Sequence, residues 1–346
     1  MSSSHDAARL DGIDLARYLS LAGMVLVNFR LAMEVDTAEG GLLAAFFHFL
    51  EGKASATFVV LAGMGLVLGT RRLTLRAAVW QTWRRALFLA VLGLVNLLIF
   101  PADILHYYAC YFVLAVLWLR ATPRTLAISM LALALLSWGC LLHLDYSQGW
   151  NWQTLEYSGM WQWPGFARNL LFNGFHPVLP WMVFLLGGMW LARMPLAQPR
   201  VQLALLVTGA LMLAAAYAVQ ALAAGGAWQA LLDVQPLPPG PTYLLAGLGA
   251  ACTVIGACLL LMRRAGVRGL RALLPVGRMT LTLYVAHILV GMGTLEALGM
   301  LGNGRTLGEV AWAACVFLLL ATVLGWAWSR RASRGPLEAV MRRLTG

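Results

Sequence analysis

The chain is a succession of long apolar segments separated by short polar joints. A helix that spans a bilayer needs about 20 predominantly apolar residues. By that measure the segments are residues 14–34, 42–70, 83–101, 104–120, 125–143, 172–193, 201–223, 242–263, 275–296 and 308–329. The second is long enough to tilt, or to break near Glu51–Lys53. No repeat at a fixed short period is visible. The pattern predicts an all-α, polytopic membrane protein of about ten transmembrane helices. Residues 1–346 would then form a single integral membrane domain.

Composition agrees. Hydrophobic residues make up 61% of the chain and charged residues 11%, against about 25% charged in soluble domains. One core cannot hide that much apolar surface, so the bilayer is the expected solvent and partner. A net charge of +11 would point to nucleic acid in a soluble protein. Here the basic residues lie in short loops beside apolar runs, and no nucleic-acid partner is expected. Cys110, Cys140, Cys252, Cys258 and Cys315 all sit inside apolar stretches. They form no disulfide framework and have no metal-ligand spacing, so no metal site is expected. Met1–Leu10 is polar, and no cleavable leader is expected.

The charges orient the chain. Nineteen of the 25 basic residues fall at one set of helix ends: Arg9, the Arg71–Arg85 group, Arg120, Arg124, Arg193, Arg200, the Arg263–Arg271 group and the Arg330–Arg343 group. Only Arg168 and Arg305 fall in the opposite loops, which carry Asp36, Glu39, Asp103, Asp145, Glu156, Asp233 and Glu309. The excess places both termini and the arginine-rich loops in the cytoplasm and requires an even number of spans. The largest outer loop, residues 144–171, holds Trp150, Trp152, Trp161 and Trp163. Tryptophans there anchor at the headgroup level, or stack on a sugar or lipid.

Polar residues inside spans are the candidates for chemistry, because a central charge costs about 2.5–3.5 kcal/mol on insertion scales. Asn28 and Arg30 lie near the outer end of the first span. His48, Glu51 and Lys53 lie in the outer half of the second, with His48 and Glu51 on one helix face. Glu51 and Lys53 read either as functional groups or as a buried pair that fixes packing. In FPADILHYYACYF, Asp103 reads as a helix cap in a tight turn, followed by His106 and Tyr108. His176 opens the sixth span at the same depth, where it also reads as an interfacial polar residue. In VGRMTLTLYVAHILVG, Arg278 starts the ninth span, and Thr280, Thr282 and Tyr284 lead up to His287. His287 stands roughly 13–14 Å above Arg278 at about 1.5 Å per residue, near mid-membrane. The glycines of LAGMGLVLG read as close helix packing rather than a nucleotide loop.

Asp14, Arg17 and Val27–Asn28–Phe29 resemble the N-terminal signature of bacterial relatives of heparan-alpha-glucosaminide N-acetyltransferase. EGKASATFVVLAGMGL, PADILHYYA and GRMTLTLYVAHIL resemble the YeiB-like family of bacterial membrane proteins, and the order of the motifs holds along the whole chain. The resemblance implies a transmembrane acyltransferase in the bacterial inner membrane. Such a protein moves an acetyl-like group from cytosolic acyl-CoA to an outer sugar, lipid or other small acceptor. Acyl-CoA would be a co-substrate, with no tightly bound cofactor. A homo-oligomer is compatible with this reading. The resemblance also implies a catalytic histidine. In the acetyltransferase pattern it lies in the loop after the Val-Asn motif, but EVDTAEGG has none. The next histidine is His48, so the expected catalytic residues are His48, His287 and Glu51. Asn28, Arg30, Lys53, Asp103, His106, Tyr108, His176, Arg278 and Tyr284 are the expected binding residues. The alternative is a transporter or flippase in which the same residues form a path through the membrane.

Overall fold

A computed structural model describes residues 10–37, 40–263, 268–302 and 304–346. Arg9, Glu39 and Arg264 of the charge asymmetry lie outside the described residues, as does the side chain of Arg268. The helices are α1 (Asp11–Ala32), α2 (Gly41–Leu50), α3 (Lys53–Thr70), α4 (Leu75–Leu97), α5 (Leu105–Ala115), α6 (Pro123–His143), α7 (Gly165–Arg168), α8 (Val178–Leu191), α9 (Pro199–Ala223), α10 (Pro241–Met262), α11 (Leu274–Gly277), α12 (Thr280–Ala286), α13 (Gly293–Ala297), α14 (Leu307–Ser329) and α15 (Pro336–Thr345). The chain is a multi-pass membrane protein.

Seven helical stretches are long and apolar enough to cross a bilayer: α1, α2 with α3, α6, α9, α10, Thr280–Ala297 and α14. Gly165–Asn173 and Val178–Leu191 make an eighth if their 45° bend is one broken span. The other two expected segments are helical but fall short. α4 carries Arg76, Arg84 and Arg85, and Leu105–Trp118 is a short helix in a tight bend after Pro101. Ile128, Leu131 and Leu135 of α6, Leu203 and Leu211 of α9, and Leu319 and Leu324 of α14 point outward. A belt of exposed leucines of that size suits lipid rather than water.

The second span breaks where its length suggested. Glu51 takes ψ 121° and Gly52 takes φ +69°, a left-handed value that favours glycine. A Cβ at Gly52 would also meet Pro236 and Tyr243 at 2.7 Å. Below the break, α3 packs closely on α8. Cβ atoms at Gly63 and Gly188 would run into the backbone carbonyls of Leu185 and Val60. Small residues permit such close backbone approach in lipid.

Among the described residues, the loop of residues 144–171 departs from an all-α description. Trp150–Asn151 and Glu156–Tyr157 pair as a small antiparallel hairpin. Asn173 pins it from below: its amide donates to the carbonyls of Tyr146 at 2.9 Å and Gln148 at 2.8 Å, and its oxygen accepts from Tyr157 at 3.1 Å. Burial raises the Tyr157 phenol above its ordinary pKa. Trp150 donates to the Asn173 carbonyl at 2.6 Å and packs inward, whereas Trp161 and Trp163 stay exposed as anchors would.

Candidate functional site

The centre of the polar interior is Asp103, in the turn that leads into α5 and fully buried. The N-cap of α5 is Ile104 rather than Asp103, but Asp103 Oδ2 accepts from the backbone N–H of Leu105 at 2.8 Å and so satisfies an orphan N–H of the helix from one position earlier than expected. Its Oδ1 accepts from the Asn96 amide at 3.2 Å and the Tyr284 hydroxyl at 3.1 Å. Every one of these partners is a donor, as a carboxylate requires. Tyr284 also accepts from the N–H of Ile104 at 3.2 Å, which locks the ring across from α12 to the turn.

One turn on from Tyr284 stands His287, with 0% exposure. Its Nδ1 bonds the carbonyl oxygen of Tyr284, and its Nε2 meets the Asn28 amide nitrogen at 2.9 Å. A carbonyl can only accept, so Nδ1 carries the proton and Nε2 accepts from Asn28. Both ring nitrogens are therefore taken. A π-helical turn, His287–Met292, begins at this residue. A second, Asn169–Asn173, supplies the partners of Tyr107 and the hairpin. Such turns re-aim side chains and recur at functional sites.

His106 differs from His287. It is 5% exposed, its Nδ1 lies 3.5 Å from Asp103 Oδ2 without hydrogen-bond geometry, and neither nitrogen has a hydrogen-bond partner. Its ring lies 3.9 Å from that of Tyr107, whose hydroxyl donates to Asn169 at 2.6 Å. His176 follows on the far side of Tyr107, with its ring 4.6 Å from that of Trp181. Tyr108 Oη, His176 Nδ1, Trp181 Nε1 and Lys53 Nζ are also buried without a partner. Buried polar groups are ordinarily satisfied, so the unpartnered ones gathered on α5 and at the start of α8 mark a place prepared for polar contacts. Beside it a cleft of about 600 Å³ is lined by Trp150, Tyr157, Trp161, Glu156 and Asn169, with Leu97 and Pro101 on its α4–α5 side.

The remaining candidates fall elsewhere. Arg30 and Glu51 form an ion pair, and His48 Nδ1 stands 3.5 Å from Glu51. His48 Nε2 meets the Gln235 amide at 2.8 Å, and the side chain is 47% exposed. Glu51 thus pairs across to α1 rather than with Lys53 as a packing pair would. Lys53 is 1% exposed, with Nζ 6.0 Å from the Tyr217 ring centre. Arg278 lies at the opposite end: its Nε donates to Asp14 at 2.9 Å, and Asp14 also holds Arg17 at 3.1 Å.

The structure therefore joins Asn28, Asp103, His106, Tyr284 and His287, with Tyr108 and His176 adjoining. It groups Arg30, His48 and Glu51 separately and leaves Arg278 apart. Asn96, Asn169, Asn173 and Trp181 were not singled out in the sequence. The signal was there for the asparagines, each a lone amide in or beside an apolar run such as LVNLLIF and FNGF.

Two family models match the chain. Residues 9–221 match the one described as heparan-alpha-glucosaminide N-acetyltransferase, catalytic. Residues 185–346 match the one described as a protein of unknown function, DUF418. No curated protein matches the sequence.

Proposed function

The chain belongs to the heparan-alpha-glucosaminide N-acetyltransferase catalytic family, and on that premise we propose that it transfers an acetyl-like group from acyl-CoA to a small sugar, amine or lipid acceptor across the membrane. In this reading the chain crosses ten times, with α4 and α5 as the two short or charged crossings. Both termini and the arginine-rich ends face the cytoplasm of a bacterial cell. The charge asymmetry supports that orientation.

The observation that carries the reaction is the pair of unpartnered His106 nitrogens beside Asp103, among the gathered unpartnered polar groups. Histidine titrates near neutrality and suits a general base. Nε2 of His106 takes the proton of the acceptor hydroxyl or amine. The freed lone pair attacks the thioester carbonyl, the C–S bond breaks, and the thiolate leaves with the proton that His106 returns. Tyr108 Oη, buried without a partner on the same helix, is a donor of the right kind for the oxyanion. Asp103, 3.5 Å from Nδ1, balances the imidazolium. His287 keeps Asn28, Tyr284 and the α12 backbone in place, since both its nitrogens are engaged. His48, Glu51 and Arg30 stand at the outer approach, where a polar acceptor would be drawn in.

Radiolabelled acetyl-CoA offered to the purified full chain with panels of sugars, amines and lipids tests the proposal. Label should pass to an acceptor, and His106→Gln should lower transfer by about 10²–10⁴-fold. No transfer together with no acyl-CoA binding would sink it.

A transport reading draws on a different observation, the broken spans at Gly52 and at the 45° bend before α8. Paired broken helices are a mark of transporters. Uptake into proteoliposomes without any acyl donor distinguishes the two.

A further inference from the structure

At the end of the molecule away from the tryptophan-lined cleft, a cavity of about 280 Å³ is walled by Arg17 of α1, Arg85 of α4, Arg278 before α12, Arg334, and Arg342 of α15, with Glu338 at its edge. Asp14 is engaged by Arg17 and Arg278. The Glu338 carboxylate is turned to α12, where it accepts from the backbone N–H groups of Leu281 at 2.7 Å and Thr282 at 3.2 Å and from the Thr282 hydroxyl. Among the described residues, Arg85, Arg334 and Arg342 form no ion pair. Nε of Arg85 is buried without a hydrogen-bond partner.

Like charges are not held together in a half-buried cavity for packing. Hydrophobic contacts would fix α15 as well, and Leu337 already packs on the core. Positive inside topology explains arginines in loops, but not an arginine of α4 and one of α15 converging on one cavity. Guanidinium forks match phosphate oxygens, and several around one pocket match a group with more than one phosphate charge.

We propose that this cavity is a binding site for a phosphate or pyrophosphate group, and that α15 and the segment before it complete the site with Arg342 and Arg334. The family match to the catalytic model ends at residue 221, so three of the five arginines, Arg278, Arg334 and Arg342, come from a part of the chain beyond that match. The phosphate reading stands whether or not acyl transfer runs at His106. Binding retained without transfer activity counts against the earlier proposal alone.

The test is titration of the full chain, in nanodiscs of neutral lipid, with inorganic pyrophosphate. Saturable binding is expected, weakened about tenfold in Arg334→Gln and in Arg342→Gln, the loss of one charged hydrogen bond each. Arg343→Gln, exposed and outside the cavity, should bind as the parent does. Competition by CoA identifies a soluble nucleotide-linked phosphate as the source. Competition only by phosphatidylglycerol in the disc identifies a lipid headgroup. Arg85→Gln provides a third variant, on a different helix, should α15 detach. No saturable binding by pyrophosphate, CoA or the anionic lipid overturns the proposal. So does equal binding in all variants, or an equal loss in Arg343→Gln, which would show diffuse charge.

Discussion

Asp103→Asn separates the charge of the central residue from its shape. The amide can keep its oxygen where Oδ1 lies, and so retain Asn96 at 3.2 Å and Tyr284 at 3.1 Å. Its NH₂ then faces the N–H of Leu105, which loses a 2.8 Å bond, and faces His106 Nδ1 at 3.5 Å. The flipped amide loses two bonds instead of one, so the first orientation is adopted. One hydrogen bond to a charged acceptor contributes about 1.5–3 kcal/mol, which sets the expected loss of stability. Asp103→Ala strands Asn96, Tyr284 and Leu105 together, three buried donors at about 1–3 kcal/mol each, and must cost more. Thermal unfolding of the full chain in one detergent ranks the three proteins, parent above asparagine above alanine. Acyl transfer should fall in Asp103→Asn by more than its stability loss explains, because His106 has lost its counter-charge. Equal stability of parent and Asp103→Asn, or of the two variants with each other, refutes the hub argument.

Other outcomes follow from the same geometry. His106→Gln should lower transfer by about 10²–10⁴-fold, the range for a general base, while His287→Gln should leave most of the rate and mainly lower the melting temperature. A rate loss in His287→Gln as large as in His106→Gln would reverse the two roles. Gly63→Ala and Gly188→Ala should each cost about 1–3 kcal/mol by overpacking α3 on α8, whereas Gly139→Ala faces open space and should be neutral or stabilising in the same unfolding assay. Arg30→Gln and Glu51→Gln each leave a poorly exposed charge without its partner, at about 3–5 kcal/mol. The double variant should cost clearly less than the sum, and additivity in the cycle would remove the pair from the account.

Much of the frame was legible because lipid imposes a length and a hydropathy on every crossing. The segments that fell short show where that logic stops. α4 carries arginines into its apolar run, and the helix after Pro101 is too short, so composition alone could not tell a crossing from a re-entrant piece. The break at Glu51–Gly52 was readable from span length, since a single straight helix of residues 42–70 exceeds the bilayer. The partners of single polar residues were not readable. Helix spacing gave His48 with Glu51, which are neighbours on one face, but Arg30 meets Glu51 from another helix. Asp103 reads as a cap and satisfies the N–H of Leu105 from one position before the true cap, Ile104; that Tyr284, 181 positions later, also reaches it is a fact of tertiary packing. Asn96, Asn169 and Asn173 carry no charge and no motif to mark them in the sequence, yet each holds a bond that fixes a loop or a helix.

The two polar ends of the molecule are joined by one element. The stretch from Arg278 to Ala297 begins at the arginine cavity and carries Tyr284 and His287 into the Asp103 network. Its first turn has backbone N–H groups with no helical acceptor, and Glu338 of α15 satisfies two of them. A carboxylate there also opposes the positive helix end, an effect of about 0.3–1 kcal/mol, too small for its loss to unfold the chain. Glu338→Gln therefore loosens the seat of α12 without removing an arginine. Pyrophosphate binding should hold or tighten, since a negative charge leaves the cavity edge. Acyl transfer at His106 should fall, since Tyr284 depends on the register of α12 to reach Asp103. Unchanged transfer with unchanged binding would mean that α15 supports the cavity alone and that α12 conveys nothing between the two ends.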